Sequence, residues 1–299
     1  MRVVVAGSHG LIGGALVAHL RGDGHDVVRL VRGAPAAPDE IAWDPDRGLL
    51  DPPDLIGADA VVNLAGVNAG SRPLTLARKR AVVSSRLRTT SLLATTLASH
   101  PTSPRVLLQA SAVGAYGDRG DDELTEDEPY GTTFFAELVR RWEAATTPAA
   151  AAGVRVAHLR SSIVLSPRGG ALGRLLPLIK LGVGGRLGSG RQFWSWITLH
   201  DEVRAIAHLL DSEVSGPVNL VAGADRNADI VGALAATWHR PAVVAVPAPA
   251  LKLVLGDFSS EVLGSARALP AVLTASGFAP DHPDITTAAA WVWAASHDD

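Results

Sequence analysis

The sequence predicts an α/β fold: a doubly wound, mainly parallel sheet with a smaller α/β lobe attached. Three observations predict it. Short β-branched runs alternate with helix-period segments through the first 160 residues, a glycine-rich turn joins the first run to the first helical segment, and the composition changes beyond Ser161.

Arg2–Ala6 is a β-branched run, Leu11–Arg21 carries apolar residues at helical spacing, and His25–Arg32 is again strand-like. Together they make a βαβ unit. The alternation continues with a strand at Ala60–Ala65, a helix at Leu76–Ser99, a strand at Arg105–Ser111, a helix at Thr133–Ala152 and a strand at Val154–Arg160. Pro148 is expected to end or bend the third of these helices early. Such alternation is the signature of a Rossmann-type sheet with helices on both faces. Residues 166–192 are rich in glycine around one helical segment, Leu172–Leu181, the composition of a pocket-covering stretch. Asp201–Leu210 reads as helix, Pro217–Val221 as strand, Asn227–Trp238 as helix and Pro241–Val246 as a last strand, with helices in the tail including Thr286–Ala295. The expected division is a Rossmann domain over 1–165, to which 198–225 return. Residues 166–197 and 226–299 form a substrate lobe and a carboxy-terminal helical module.

The chain has 299 residues, 27 basic against 30 acidic, and no cysteine. Disulfides and thiolate chemistry are excluded. A net charge of −3 leaves no electrostatic footprint for nucleic acid or an anionic membrane, so a small molecule is the expected partner. Arg2 and the apolar residues after it superficially resemble a secretory leader, but Gly7, Gly10, Gly13 and Gly14 interrupt the run. Pro247, Pro249 and Lys252 break the best apolar stretch, Pro241 to Leu255, which falls short of the roughly 18–20 residues of a membrane span. A cytoplasmic protein without a membrane segment is expected.

Gly7-Ser8-His9-Gly10-Leu11-Ile12-Gly13 sits between the first strand and the first helix. Glycines at this spacing allow a tight turn, close approach of backbone N–H groups to a pyrophosphate, and close helix–strand packing. A dinucleotide is the expected ligand, and its kind is decided at the end of the second strand. Arg32 stands there, following Val31, and no carboxylate lies between Asp26 and Asp39. A guanidinium suits a ribose 2′-phosphate, so NADP is preferred to NAD. Arg29, in mid-strand, reads as an edge residue. Leu64, Ala65 and Gly66, ending the third predicted strand, are placed to cover the adenosine and its ribose.

These segments, with Ser111-Ala112-Val113-Gly114-Ala115-Tyr116 after the fourth strand and Trp196-Ile197-Thr198-Leu199-His200-Asp201 further on, resemble the extended short-chain dehydrogenase/reductase superfamily. More narrowly, Trp43-Asp44-Pro45, Val62-Asn63-Leu64-Ala65-Gly66, Ser85-Arg86-Leu87, Pro167-Arg168-Gly169-Gly170 and Leu187-Gly188-Ser189-Gly190-Arg191 resemble its "epimerase family" branch of NAD-dependent epimerase/dehydratase-like proteins. The carboxy-terminal module of that branch matches around Phe258–Phe278. The resemblance implies that Gly7, Ser8, Gly10, Leu11 and Ile12 hold the pyrophosphate and Val31 and Arg32 the ribose phosphate. It further implies that Leu64 and Ala65 flank the adenosine, Arg86 reaches the cofactor from the following helix, Ser111 lies near the nicotinamide, and Ile163 and Val164 pack over it. A homodimer through the helices 76–99 and 133–152 is a superfamily-level expectation.

In this superfamily a serine or threonine polarises the reacting oxygen, a tyrosine moves the proton, and a lysine four residues later lowers the tyrosine pKa from about 10. This chain has two tyrosines, Tyr116 and Tyr130, followed at that spacing by Gly120 and Phe134. The Tyr-x-x-x-Lys pair is absent. Aligning Arg140-Arg141-Trp142-Glu143 with the helix that normally carries it puts Phe135 and Val139 at the two positions. Ser111 and Tyr116 are the remaining catalytic candidates. Arg168, Arg191 and Trp194 are candidate substrate contacts, the arginines as clamps for a phosphate or carboxylate and the tryptophan as a pocket wall. The acid-rich stretch Asp118–Glu128 reads as a solvated loop. The ten histidines form no metal-ligand motif, and no metal is expected. Two functions compete: an NADP-dependent oxidoreductase or epimerase acting on a small carbonyl/hydroxyl substrate, and a catalytically weak NADP(H)-binding protein that regulates a partner.

Overall fold

In the computed structural model, which describes residues 1–99 and 104–297, the first strand has no solvent face. Val3 and Val5 enter one apolar cluster and Val4 and Ala6 another, because successive side chains of a strand point to opposite sides. A strand buried on both faces needs helices on both.

The chain supplies them in order. β1 (Arg2–Ala6), α1 (Leu11–Gly22), β2 (Asp26–Val31), β3 (Glu40–Ala42), β4 (Ala60–Asn63), α2 (Leu76–Ala98) and β5 (Val106–Ala112) come first. β6 (Glu123–Leu124), α3 (Phe134–Ala144), α4 (Thr147–Ala151), β7 (Arg155–Ser161), β8 (Ile163–Leu165) and α5 (Leu172–Lys180) follow. Then come β9 (Phe193–Thr198), α6 (Leu199–Asp211), β10 (Gly216–Leu220), β11 (Gly223–Arg226) and α7 (Asn227–Thr237). The tail holds α8 (Ala248–Leu255), α9 (Ser259–Leu263), β12 (Arg267–Ala268), α10 (Ala271–Ala275) and α11 (Ile285–Ala294).

The large sheet has the order β10-β7-β5-β4-β1-β2-β3, with every pairing parallel. Winding runs from β1 outward to β3, then restarts at β4 and runs the other way. That reversal opens a crevice beyond the carboxyl ends of β1 and β4, where open α/β sheets bind ligands. On one face Leu16 and Leu20 of α1 pack with Val203, Ile206 and Leu209 of α6; on the other, Leu93 and Leu97 of α2 pack with Trp43 and Ala149. A second sheet, β11-β9-β8, carries a separate core in which Leu175, Ile179, Trp194, Trp196, Leu234 and Val292 meet. No helix among the described residues is long and apolar enough to cross a membrane.

Three expectations change. The predicted helix 133–152 is two helices, because Pro148 has no N–H to continue the first and instead sits in the opening turn of α4. The strand expected at Pro241–Val246 does not form. Its sole ladder contact is an isolated bridge between Val246 and Leu187, and Val243 is 80% exposed. The acid-rich loop is exposed at Asp118, Asp121, Asp122, Glu123 and Asp127, as expected, but is also anchored. Asp121 pairs with Arg226, Glu123 with Arg267, and the buried Glu126 carboxylate accepts the backbone N–H groups of Asn219 and Val272.

The tail is tied to α6 by a charged clamp. Asp201 accepts the backbone N–H groups of Asp281 and His282 and the Arg204 guanidinium, while His200 pairs with Asp281. His200, Asp201 and Asp281 bring potential metal-ligand atoms within 4.8 Å of one another, but Arg204 lies 3.0 Å from Asp201 and 3.1 Å from Asp281 and already supplies the positive charge.

Candidate functional site

The site begins at the glycine turn. Gly7 has φ of +83°, and a Cβ there would stand 2.7 Å from the Leu64 carbonyl group, so only glycine fits. A Cβ on Gly13 would fall 2.2 Å from the Gly7 carbonyl oxygen, which lets the start of α1 close onto the turn. Gly10 is the N-cap of α1 and no side chain caps this end, leaving backbone donors and the positive end of the helix dipole directed at the crevice. Ser8 is buried beside the turn, and Leu11 and Ile12 pack at the edge of the sheet core.

Val31 is buried at the end of β2 and Arg32, next along, is exposed. Arg29 is held by Asp39 and Glu40. It is therefore a structural residue, and Arg32 is the guanidinium at this strand end with room for a ligand. The Leu64-Ala65-Gly66 turn is held from below: the buried Asn63 accepts the Ala65 N–H at 3.1 Å and donates to Gln109 at 2.9 Å. Arg86 reaches over from α2, stacking 4.8 Å from the Trp142 ring and donating to the Val67 carbonyl. Burial brings its pKa down to about 10, and the Arg78 charge adds to the effect.

From here a pocket of about 1090 Å³ extends between the sheet and the tail. Arg86, Ser111, Ile163 and Trp194 are all on its wall, as are Phe135 and Val139. Val164 turns inward against the sheet core. Ser111, at the end of β5, donates its hydroxyl to Glu143 at 2.5 Å. Glu143 is also bound by Arg160 through two hydrogen bonds of 2.9 and 3.0 Å and by the Tyr130 hydroxyl. Burial alone would raise the Glu143 pKa; the Arg160 hydrogen bonds and charge reverse this and hold it below the ordinary carboxylate range. Behind Ser111, the hydroxyl of Ser161 donates to Glu202, a fully buried carboxyl whose second oxygen has no hydrogen-bond partner among the described residues.

Burial pushes Glu202 up to about 8. The folded protein therefore keeps a proton that the unfolded chain releases near pH ~4.3, and this residue's contribution falls as pH rises between those values. Glu202→Gln should flatten that slope. In denaturant titrations, wild type should lose stability relative to the variant between pH 5 and pH 8; a constant difference would refute the assignment.

The opposite wall comes from the tail. Glu261 of α9 reaches the β5 loop, its Oε2 lying 3.1 Å from where a Gly114 Cβ would be. It has no hydrogen-bond or ion-pair partner among the described residues, and burial pushes its carboxyl up to about 7. Lys79 and Asp257, on the same wall, pair with each other.

Residues 3–223 match the family model described as "NAD dependent epimerase/dehydratase family". The chain belongs to the NAD dependent epimerase/dehydratase family. Residues 246–292 match a second model, a domain of unknown function designated DUF1731. The epimerase family protein Mb2239 of Mycobacterium bovis is 43% identical over 286 residues, 95% of this chain and 94% of the relative. The crystal structure of human epimerase family protein SDR39U1 (isoform 2), solved with NADPH, superposes with a TM-score of 0.91 at 32% identity, covering 98% of this chain and 99% of that one. A nucleoside-diphosphate sugar epimerase from Corynebacterium glutamicum is 37% identical with a TM-score of 0.79, covering 97% of this chain but 57% of that protein.

Tyr116 and two of the substrate candidates, Arg168 and Arg191, are placed differently from what the sequence predicts. Tyr116 is not on the pocket wall. It is 1% exposed, packs with Leu124, Val221 and Ala268, and its hydroxyl bonds Asn219 at 2.7 Å and Arg160 at 3.0 Å. Burial raises its pKa further, opposite to what proton transfer near neutrality requires. The expectation of a catalytic Tyr116 is therefore corrected to a structural one. Arg168 and Arg191 are exposed and off the pocket wall; the loop carrying Arg168 packs through Gly169 and Gly170 on Leu11, beside the glycine turn. Trp194 does line the pocket, with its indole N–H donated to the Val262 carbonyl.

Sequence reasoning passed over Glu143, Arg160 and Glu261. Glu143 follows Phe135 and Val139 at four-residue steps on one helix face, a spacing that could have revealed it. No local pattern marks Glu261, because the tail returns to the pocket only through tertiary packing.

Proposed function

We propose that the chain binds NADP(H) as an extended short-chain dehydrogenase/reductase and acts on a small carbonyl/hydroxyl substrate, with sugar nucleotides the first class to test. The observation that carries this reading is a glycine cradle that a single Cβ would fill, with Arg86 lying between the Gly66 turn and the pocket beyond β5. The residues present fit the dinucleotide. Gly7, Gly10 and Gly13 leave room and donors for a pyrophosphate, Leu64 and Ala65 would flank the adenosine, and the exposed Arg32 would meet the 2′-phosphate. SDR39U1, structurally similar over nearly the whole chain, was crystallised with NADPH, which supports the same choice here. When bound, the cofactor supplies hydride chemistry at the nicotinamide. Ser111, Ile163, Phe135 and Val139 shape the surface against which that ring and the substrate would lie, and the apolar pair keeps the reacting centre dry.

Arg32→Ala should weaken NADPH binding by about 10- to 100-fold, the value of a charge-assisted hydrogen bond, and leave NADH nearly unchanged. Calorimetry with both nucleotides measures this. Equal losses would remove the 2′-phosphate contact.

A second reading, an NADP(H)-binding protein that regulates a partner without turnover, is favoured by the commitment of the Ser111 hydroxyl to Glu143. Loss of nicotinamide absorbance across a panel of sugars, quinones and aldehydes separates the two. Turnover with any of them supports an enzyme, and tight binding with none supports the regulator.

A further inference from the structure

We propose that Glu261, delivered by the carboxy-terminal module to the β5 end of the pocket, exchanges the proton with substrate in place of the absent tyrosine. The inference rests on the NADP(H) reading above. Its grounds are geometric. Phe135 and Val139 occupy the pocket wall where the superfamily's tyrosine and lysine are expected, so the helix face of α3 brings no proton donor. Ser111 donates its only proton to a carboxylate, and Tyr116 faces away.

Glu261 reaches the same end of the cavity from the other side. Its Oε2 lies against Gly114, three residues past Ser111, and Phe135 packs on the same glycine. The remaining charged groups of the wall do not suit the role. Lys79 and Asp257 neutralise each other, Arg86 is committed to the Trp142 ring and the Val67 carbonyl, Lys252 is exposed, and Asp118 accepts the backbone N–H groups of Gly120 and Ser265. Glu261 has no hydrogen-bond or ion-pair partner among the described residues, and its raised pKa keeps a proton available close to pH 7.

In the reducing direction, the substrate carbonyl carbon receives a hydride from bound NADPH, the C=O π pair moves to oxygen, and that oxygen takes the Glu261 proton to form the alcohol. The cofactor is left oxidised and the carboxylate is re-protonated from water. In the oxidising direction the Glu261 carboxylate accepts the hydroxyl proton while the hydride returns.

The test reads the carboxyl group directly. Protein labelled with ¹³C at glutamate side-chain carboxyls is titrated by NMR without nucleotide, with saturating NADPH and with saturating NADP⁺. The Glu261 resonance is assigned by its disappearance in Glu261→Gln, or in Glu261→Ala should the first variant fail to fold. A carboxyl facing the nicotinamide should titrate with a midpoint at least about 0.5 pH unit lower with NADP⁺ than with NADPH, because the oxidised ring carries a positive charge. Equal midpoints with both nucleotides bound would overturn the assignment and leave the cofactor reading intact. Failure of calorimetry to detect uptake of either nucleotide would overturn both.

Discussion

Glu143→Ala is expected to lower the unfolding free energy by roughly 3–5 kcal/mol, the usual consequence of removing one partner from a buried ion pair. Arg160 is 3% exposed, and the substitution leaves its guanidinium with no carboxylate inside the protein while Ser111 and Tyr130 lose their acceptor. Urea unfolding measures the loss. The double variant Glu143→Leu/Arg160→Leu should recover much of it, since two apolar side chains leave no stranded charge. A double variant no more stable than the single would show that packing, not charge, dominates. The pair also predicts a direction with pH. A carboxyl whose folded pKa lies below its unfolded value near ~4.3 contributes fully above that value and loses its contribution as pH falls below it.

The second large effect is on the cradle. Gly13→Ala places a methyl group 2.2 Å from the Gly7 carbonyl oxygen and 2.9 Å from its carbon, both backbone atoms. Gly7 cannot retreat, because Leu64 lies directly behind it. Overpacking of this kind costs about 1–3 kcal/mol of stability. Since the displaced atoms form the anion-binding turn, NADPH affinity should fall by about 100-fold, equivalent to ~2.7 kcal/mol. Gly22→Ala at the other end of α1, where an added Cβ meets nothing within 4 Å, is the control and should leave both quantities nearly unchanged. Comparable losses in the two variants would discredit the steric explanation.

The parallel sheet was readable because its strands are local objects. β1 and β4 are short apolar runs whose burial on both faces shows in composition, β2, β5, β7 and β10 carry Val, Leu or Ala among polar residues, and the glycine turn has chemistry that spacing alone exposes. Strands made by tertiary pairing were not readable in the same way. β6 and β12, two residues each, exist because Glu123 and Leu124 happen to meet Arg267 and Ala268. The failed strand at Pro241–Val246 shows the converse, an apolar run without a partner ladder. In the candidate site, most of the expected cofactor contacts, from Gly7 to Arg86, lie within the first 90 residues and could be assigned in order along the chain, with Ile163 and Val164 added from a later strand. The pocket end beyond β5 gathers residues from α3, β7 and α9, and the polar groups around it are set by contacts such as Glu143 with Arg160 that no spacing encodes. Tyr116 shows the cost of judging by proximity in sequence: five residues from Ser111, it is turned into a core by the loop between them.

The late origin of one pocket wall also orders events during synthesis. The residues in direct contact with the glycine turn, Leu64 and Ala65, lie within the first 66 residues, whereas Phe258, Glu261 and Ala266 come in the last seventh of the chain. The segments for the cradle are thus synthesised well before the pocket's last wall, and a chain ending ahead of α9 would leave the pocket open to water on the side that Phe258 and Glu261 otherwise close.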